Sequence, residues 1–237
     1  MEEIYLNIMK RTTINKLISQ NLQPTKYVFI DTCAILDVLR LPAKYENQSD
    51  LLAQYLNLLS RVEIGDIVIV TSCMVYVELQ ANYNRALTTE SDWENKLSKD
   101  IRTFEGYSQV AGLLNGHEIS TLYNTVNIQN FLNNIYNELT RRLIYLPEKF
   151  KYDKFSMERV AGRIPPAAGK TEYKDCYIWG TCIDLARQIN QHDTLSFFTT
   201  NTKDFTINAN SPYIGQFSRD APNVTLYTDI RALMKNV

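Results

Sequence analysis

The sequence predicts an α/β fold of three layers (α/β/α), in which a central, mainly parallel sheet lies between helices. Residues 27–30 and 66–70 are short runs of strand-forming residues that are apolar on both faces, as the central strands of a parallel sheet are. The apolar spacing becomes helical directly after each run. A third run, at 195–200, follows another helical segment, so the β-α pattern repeats along the chain.

Length and composition predict a single folded domain over residues 1–237. Apolar residues make up 45% of the chain and charged residues 22%, close to the average for globular domains. The formal net charge of −1 gives no overall signal for nucleic-acid binding, so any basic surface has to be local. The segment 141–174 is such a candidate, since it contains nine basic and four acidic residues.

Helical spacing predicts an N-terminal helix over 1–20 and a second helix over 51–62, which Ser49 or Asp50 can cap. Residues 84–165 are polar, contain several glycines and show no convincing strand. We therefore predict a helical insertion there. Its candidate helices are 89–105, 118–124 and 126–145.

The last third of the chain returns to the β-α pattern. Two prolines between glycines make 162–169 a predicted mobile loop, because they resist both helix and sheet. A helix is expected from Thr171. The final elements are a strand at 224–227 and a short helix from Asp229.

The sequence predicts a cytoplasmic protein that does not contact a membrane. No apolar stretch approaches the roughly 18 residues that span a bilayer, and the N-terminus lacks the apolar core of a signal peptide. The cysteines lack the paired spacing of zinc sites, so we expect them to be reduced and buried. They are Cys33, Cys73, Cys176 and Cys182.

Four acidic residues follow predicted strands or lie in the first turns of the next helix: Asp31, Glu78, Asp175 and Asp204. Ligands of parallel sheets bind at the carboxyl ends of the strands, where these residues would meet. Two carboxylates that lie close together repel each other by about 4 kcal/mol. Divalent cations would relieve this, and Mg²⁺ or Mn²⁺ suits oxygen ligands best. Such ions activate water and stabilise charge on phosphate, which is nuclease chemistry. Singly, each acid could equally be a helix cap or an ion-pair partner.

The motifs FIDTC, SCMVYVEL, KTEYKDCYIWGTCIDLA and FFTTNTKDF occur in this order. Together they resemble the PIN domain, a metal-dependent nuclease fold, over most of the chain outside 1–20 and 84–165. The last two motifs look closer to larger bacterial PIN-like proteins than to compact toxins. The resemblance implies a metal-dependent endoribonuclease that hydrolyses RNA, with Asp31, Glu78, Asp175 and Asp204 as metal ligands.

The same resemblance implies what could surround the site. The protein could be a toxin that an antitoxin holds inactive, or an RNA-processing nuclease. It could also bind another protein partner or form a homodimer. Substrate contacts are predicted for Thr32, Lys170, Lys174, Thr200 and Asn201. The lysines would contact phosphate, although a solvated basic face explains them equally well. The helical spacing of Tyr173, Tyr177 and Trp179 favours core over a base-stacking surface.

Two residues depart from the family pattern. Cys33 stands where Ser or Asn often orients the first Asp, and Thr202 stands where many toxins have Asp. They support a rival hypothesis, a catalytically weak PIN-like module that binds RNA or a partner. A structural protein whose insertion recruits a partner is a third hypothesis. A phosphatase of the haloacid dehalogenase type is excluded, because it needs a second Asp where Cys33 stands.

Overall fold

A parallel sheet of six strands organises the part of the chain that the computed structural model describes. That part comprises residues 10–11, 13–20, 25–44, 49–111, 128–169, 172–206, 213 and 215–237. The strands are β1 (Lys10–Arg11), β2 (Lys26–Ile30), β3 (Ile67–Ser72), β4 (Ile144–Leu146), β5 (Thr194–Phe198) and β6 (Val224–Tyr227). Their order is β1-β4-β3-β2-β5-β6, and every neighbouring pair is parallel.

Helices connect these strands and cover the sheet in a three-layer α/β/α arrangement, as the sequence predicted. They are α1 (Ile14–Gln20), α2 (Thr32–Lys44), α3 (Ser49–Glu63), α4 (Cys73–Ala111), α5 (Ile128–Arg142), α6 (Phe150–Gly162), α7 (Tyr173–Ala186), α8 (Thr202–Phe205), α9 (Gln216–Asp220) and α10 (Ile230–Asn236). Helix α2 packs against α4 and α5, whereas α6 packs against α7. None of the described helices is long and apolar enough to cross a membrane.

Strand β2 is the central strand, with β3 on one side and β5 on the other. Residues 27–30 are all buried, which requires that both faces of the sheet are covered, since successive side chains point to opposite faces. Lys26 is in register with Ile67 of β3 and with Thr194 of β5. The carboxyl ends of the three strands therefore lie at one edge of the sheet.

Aromatic packing joins the sheet to α7. Phe29 stacks on Phe197 across β2 and β5, with ring centroids 5.7 Å apart. Trp179 of α7 meets Phe197 edge-on at 5.2 Å and is only 1% exposed. Tyr177 is also buried, whereas Tyr173 is half-buried. The prediction that this aromatic run is mainly core is confirmed for Tyr177 and Trp179.

Helices α6 and α7 approach each other closely. A Cβ atom at Gly180 would lie 2.8 Å from the ring of Phe155, so glycine is needed at the crossing. Helix α7 is buried from Cys176 to Ala186, which explains why its apolar residues occur on overlapping faces rather than on one stripe.

Two expectations for the less regular parts of the chain were wrong. Ile144–Leu146 forms β4 between β1 and β3, so the segment 84–165 is not free of strands. The sequence does not reveal this strand, because it has only three residues and they directly follow the apolar stripe of α5. Three residues are too few to show the period of two that is typical of a strand. Lys10–Arg11 pairs with β4 as β1, so the predicted N-terminal helix over 1–20 is described only at α1, while residues 1–9 and 12 lie outside the described residues.

The remaining elements agree with the sequence more closely. The candidate helix 89–105 is part of the long helix α4, the candidate 126–145 corresponds to α5, and 118–124 lies outside the described residues. Residues 163–169 are irregular, as expected, but Pro165, Pro166 and Ala167 are buried. This segment is therefore packed against the domain.

A buried ion pair holds this irregular segment in place. The Arg159 guanidinium, 5% exposed, donates to the Pro165 carbonyl and to the Asp220 carboxylate. Asp220 also accepts from the indole nitrogen of Trp179 at 3.0 Å and from the Gln216 amide at 2.8 Å. One carboxylate thus links α6, α7 and α9.

Replacing Asp220 by alanine is expected to lower the free energy of unfolding by about 3–5 kcal/mol, because it leaves the buried Arg159 charge without its partner. Asp50→Ala is the control, since Asp50 pairs with Arg231 where both side chains are about half exposed, and its loss should cost about 0–1 kcal/mol. Urea unfolding measures both. Equal losses in the two variants would contradict the assignment of Asp220 as a buried anchor.

Candidate active site

Asp31 lies directly after β2 at the carboxyl edge of the sheet and is only 1% exposed. Its Oδ1 accepts the backbone N–H of Thr32 at 2.7 Å, and its Oδ2 accepts the hydroxyl of Thr199 at 2.7 Å. The register explains this contact: Ile30 pairs with Phe198, so the next residues of β2 and β5 are also neighbours. Asp31 is therefore fixed from both strands.

Glu78 reaches the same edge from α4, the helix that follows β3. Its Oε2 accepts the hydroxyl of Thr32 at 2.6 Å. Its Oε1 lies 3.7 Å from the Nζ of Lys174, which is half exposed at the start of α7. Thr32 thus contacts two of the predicted acidic residues, Asp31 through its backbone and Glu78 through its side chain. It is also the first residue of α2.

Asn201 connects the other two acidic residues. Its Nδ2 donates to Oδ2 of Asp175 at 3.1 Å and to Oδ2 of Asp204 at 2.9 Å. Its Oδ1 accepts the backbone N–H of Asp204 at 3.3 Å, which makes Asn201 the N-cap of α8. The cap orients the amide so that its donor side faces the carboxylates.

Burial and mutual repulsion raise the pKa of two of these acidic residues. Burial, followed by the charge of Glu78, raises the pKa of Asp31 to about 6, although the Thr199 hydroxyl and the backbone N–H groups of Thr32 and Cys33 oppose the rise. Burial, followed by the charges of Asp31, Glu78 and Asp204, raises the pKa of Asp175 to about 8. The four acidic residues thus act electrostatically as one cluster.

The chemistry of this cluster suits a hard divalent cation, because every donor is a carboxylate. Burial and, after it, mutual repulsion raise the pKa of Asp31 and Asp175, and a cation would offset both effects. The four carboxylates lie farther apart than the ligands of a preformed metal site do. Among the described residues, no three His, Cys, Asp or Glu side chains are grouped closely enough to hold a metal ion as they stand. Thr32, Asn201 and Lys174 instead contact the carboxylates.

The predicted substrate contacts fall at different places around this cluster. Lys174 lies beside Glu78, whereas Lys170 lies outside the described residues. The Thr200 hydroxyl is buried next to the site. Among the described residues, it is the one buried side-chain nitrogen or oxygen without a hydrogen-bond partner. Asn201 contacts acidic residues rather than open space.

Sequence reasoning missed Thr199, which is fully buried and bonds to Asp31. The β-strand period contains the signal, because a residue directly after β5 has to lie beside the residue directly after β2 when the strands are in register. Cys33 is half-buried, and burial together with the charge of Asp31 raises the pKa of its thiol. Its side chain is a neutral thiol, while its backbone N–H assists Asp31.

The fold and the cluster define a class of protein in which acidic residues collect at the carboxyl edge of a parallel sheet. A family model described as PIN domain matches residues 28–205, about three quarters of the chain. The chain therefore belongs to the PIN domain family. No curated protein and no solved structure matches it significantly.

The raised pKa of Asp175 predicts a dependence of stability on pH. A carboxyl group whose pKa is about 4 in the unfolded chain and about 8 in the folded chain makes folding less favourable as pH rises between these values. With a metal chelator present, Asp175→Asn should raise the free energy of unfolding by at least about 1 kcal/mol near pH 9 and should have no effect near pH 4.

Urea unfolding across this pH range measures the effect, with Asp92→Asn as the control because Asp92 is exposed further along α4. A constant difference between Asp175→Asn and the unmodified protein at all pH values would contradict a raised pKa of Asp175 in the folded protein.

Proposed function

We propose that this protein is a divalent-metal-dependent endoribonuclease that hydrolyses RNA phosphodiester bonds. The observation that carries the proposal is the set of four acidic residues that four different elements bring to one edge of the sheet. Burial and repulsion raise the pKa of two of them, Asp31 and Asp175. Membership of the PIN domain family supports the same class of reaction.

In this proposal Asp31, Glu78, Asp175 and Asp204 hold Mg²⁺ or Mn²⁺. A bound ion of this kind lowers the pKa of a water molecule and stabilises negative charge on the phosphate. Thr32 and Thr199 orient Asp31, and Thr32 also orients Glu78. Asn201 positions Asp175 and Asp204 through its amide.

Two further residues are proposed to contact the substrate. Lys174 is half exposed at the edge of the cluster, where its ammonium group can bind a phosphate of the RNA backbone. The Thr200 hydroxyl is buried beside Asn201 and has a free donor for a substrate oxygen or a bound water. Lys170 stays a proposed phosphate contact on sequence grounds alone.

A second candidate function is a PIN-like module that binds RNA or a protein partner with little turnover. The observation in its favour is that Lys174 and Asn201 already contact the carboxylates and that no tight group of metal ligands exists among the described residues. Under the first proposal, the four carboxylates would hold the cation in place of these contacts.

In the cell, the endoribonuclease is proposed to act in the cytoplasm as a toxin controlled by an antitoxin or as an RNA-processing enzyme. A homodimer is one proposed assembly. These roles share the proposed chemistry at Asp31.

Replacing Asp31 by asparagine should reduce Mn²⁺-dependent cleavage of end-labelled single-stranded RNA by more than about a hundredfold, because the fixed carboxylate is the most buried ligand of the set. Asp92→Asn should cleave as the unmodified protein does. The loss of cleavage in Asp31→Asn, purified in the same way, excludes a contaminating ribonuclease. Mn²⁺ should raise the melting temperature of the unmodified protein and of Asp92→Asn, but not that of Asp31→Asn.

The two candidate functions differ in this experiment. Metal-dependent cleavage that Asp31→Asn lacks supports the nuclease. RNA binding without cleavage, together with a melting temperature that Mn²⁺ does not change, supports the binding module and contradicts the nuclease.

A further inference from the structure

Lys174 is the basic residue that contacts the acidic cluster. Its Nζ lies 3.7 Å from Oε1 of Glu78, and no other basic side chain in the described part of the chain forms an ion pair with any of the four acidic residues. The Lys174 side chain is 50% exposed, whereas the Glu78 side chain is only 15% exposed. A single half-exposed ammonium group thus faces four carboxylates.

Helix α7 does not itself favour a lysine at this position. Lys174 is the second residue of α7, where unpaired backbone N–H groups make the end of the helix positive and disfavour a basic side chain. The run of buried residues in α7 begins only at Cys176, so Lys174 is not part of the core. The pairing with Glu78 is therefore the interaction that accounts for Lys174.

The pairing occupies the oxygen of Glu78 that a cation would use. Oε2 of Glu78 already accepts the Thr32 hydroxyl at 2.6 Å, which leaves Oε1 facing Lys174. A divalent cation on Oε1 would lie beside the ammonium group, and like charges a few Å apart repel each other. The cation and the Lys174 ammonium group therefore compete for the same carboxylate.

We infer that Lys174 couples cation binding to phosphate binding. Its ammonium group is a counter-ion of Glu78 while the cluster holds no cation, and the cation releases it to bind a phosphate of the RNA. The inference rests on the proposed function and deepens it, since the phosphate contact of Lys174 becomes dependent on the cation. The coupling is reciprocal, so each ligand raises the affinity for the other. Lys174 acts in binding and takes no part in the hydrolysis.

The first test measures the affinity for Mn²⁺ by calorimetry in the absence of RNA. Lys174→Met, which keeps the length of the side chain but not its charge, should bind Mn²⁺ about fivefold more tightly, because the competing charge is gone. Lys174→Arg should bind as the unmodified protein does. Lys203→Met is the matched control and should change the affinity by less than about twofold, since Lys203 is exposed directly before Asp204 but forms no ion pair among the described residues.

The second test measures RNA binding with a chelator present, so that neither a cation nor cleavage contributes. A fluorescein-labelled uridine oligonucleotide is titrated with the full chain, and anisotropy gives the dissociation constant. Lys174→Met alone should change this constant by less than about twofold, because Glu78 holds the ammonium group. In the Glu78→Gln background, where the ammonium group is released, Lys174→Met should weaken binding about fivefold. It should also lower the slope of log affinity against log salt by about 0.7, the value for one phosphate of a single strand.

Three results overturn the inference: equal Mn²⁺ affinities of Lys174→Met and Lys203→Met, an equal effect of Lys174→Met on RNA affinity with and without Glu78, or no RNA binding by Glu78→Gln. A lysine that only adds positive charge to the surface gives the second of these results. The nuclease proposal is judged separately, by the Asp31→Asn cleavage assay, and survives all three. No Mn²⁺ binding by the unmodified protein contradicts both.

Discussion

The parallel pairing of β2 with both β3 and β5 is the constraint on which the candidate site depends. Strands that run in the same direction and in register end together, so the residues that follow them meet at one edge. Asp31 follows β2, Glu78 lies in the helix after β3, and Thr199 and Asn201 follow β5. A shift of one residue in the pairing of β2 with β5 would turn Thr199 away from Asp31.

This convergence has an electrostatic cost that the neighbouring residues offset. Asp31 and Asp175 have raised pKa values because carboxylates are brought together out of water. Thr199 and backbone N–H groups stabilise the charged form of Asp31, and the Asn201 amide lies between two other carboxylates. A site arranged in this way has a strong preference for a positive partner.

The pair of helices α6 and α7 connects this cluster to the rest of the surface. Gly180 allows the two helices to approach, and the buried carboxylates of Asp184 and Asp220 join them at separate points. Asp184 sets the direction of the first turn of α6, while Asp220 holds the irregular segment after α6. Because α7 also carries Asp175, these contacts join α6 to the helix that supplies one residue of the acidic cluster.

The sequence by itself determined the class of fold, the central strands and the four acidic residues, because apolar runs on both faces and acids at strand ends are local patterns. It did not predict β4, which is only three residues long. Nor did it predict Thr199, whose role depends on its contact with Asp31 at the end of the neighbouring strand β2. Nor could it assign Asp184 and Asp220 as anchors, since their partners are distant in sequence. Only the tertiary structure decided these points, because register and helix packing bring together residues that no local period relates.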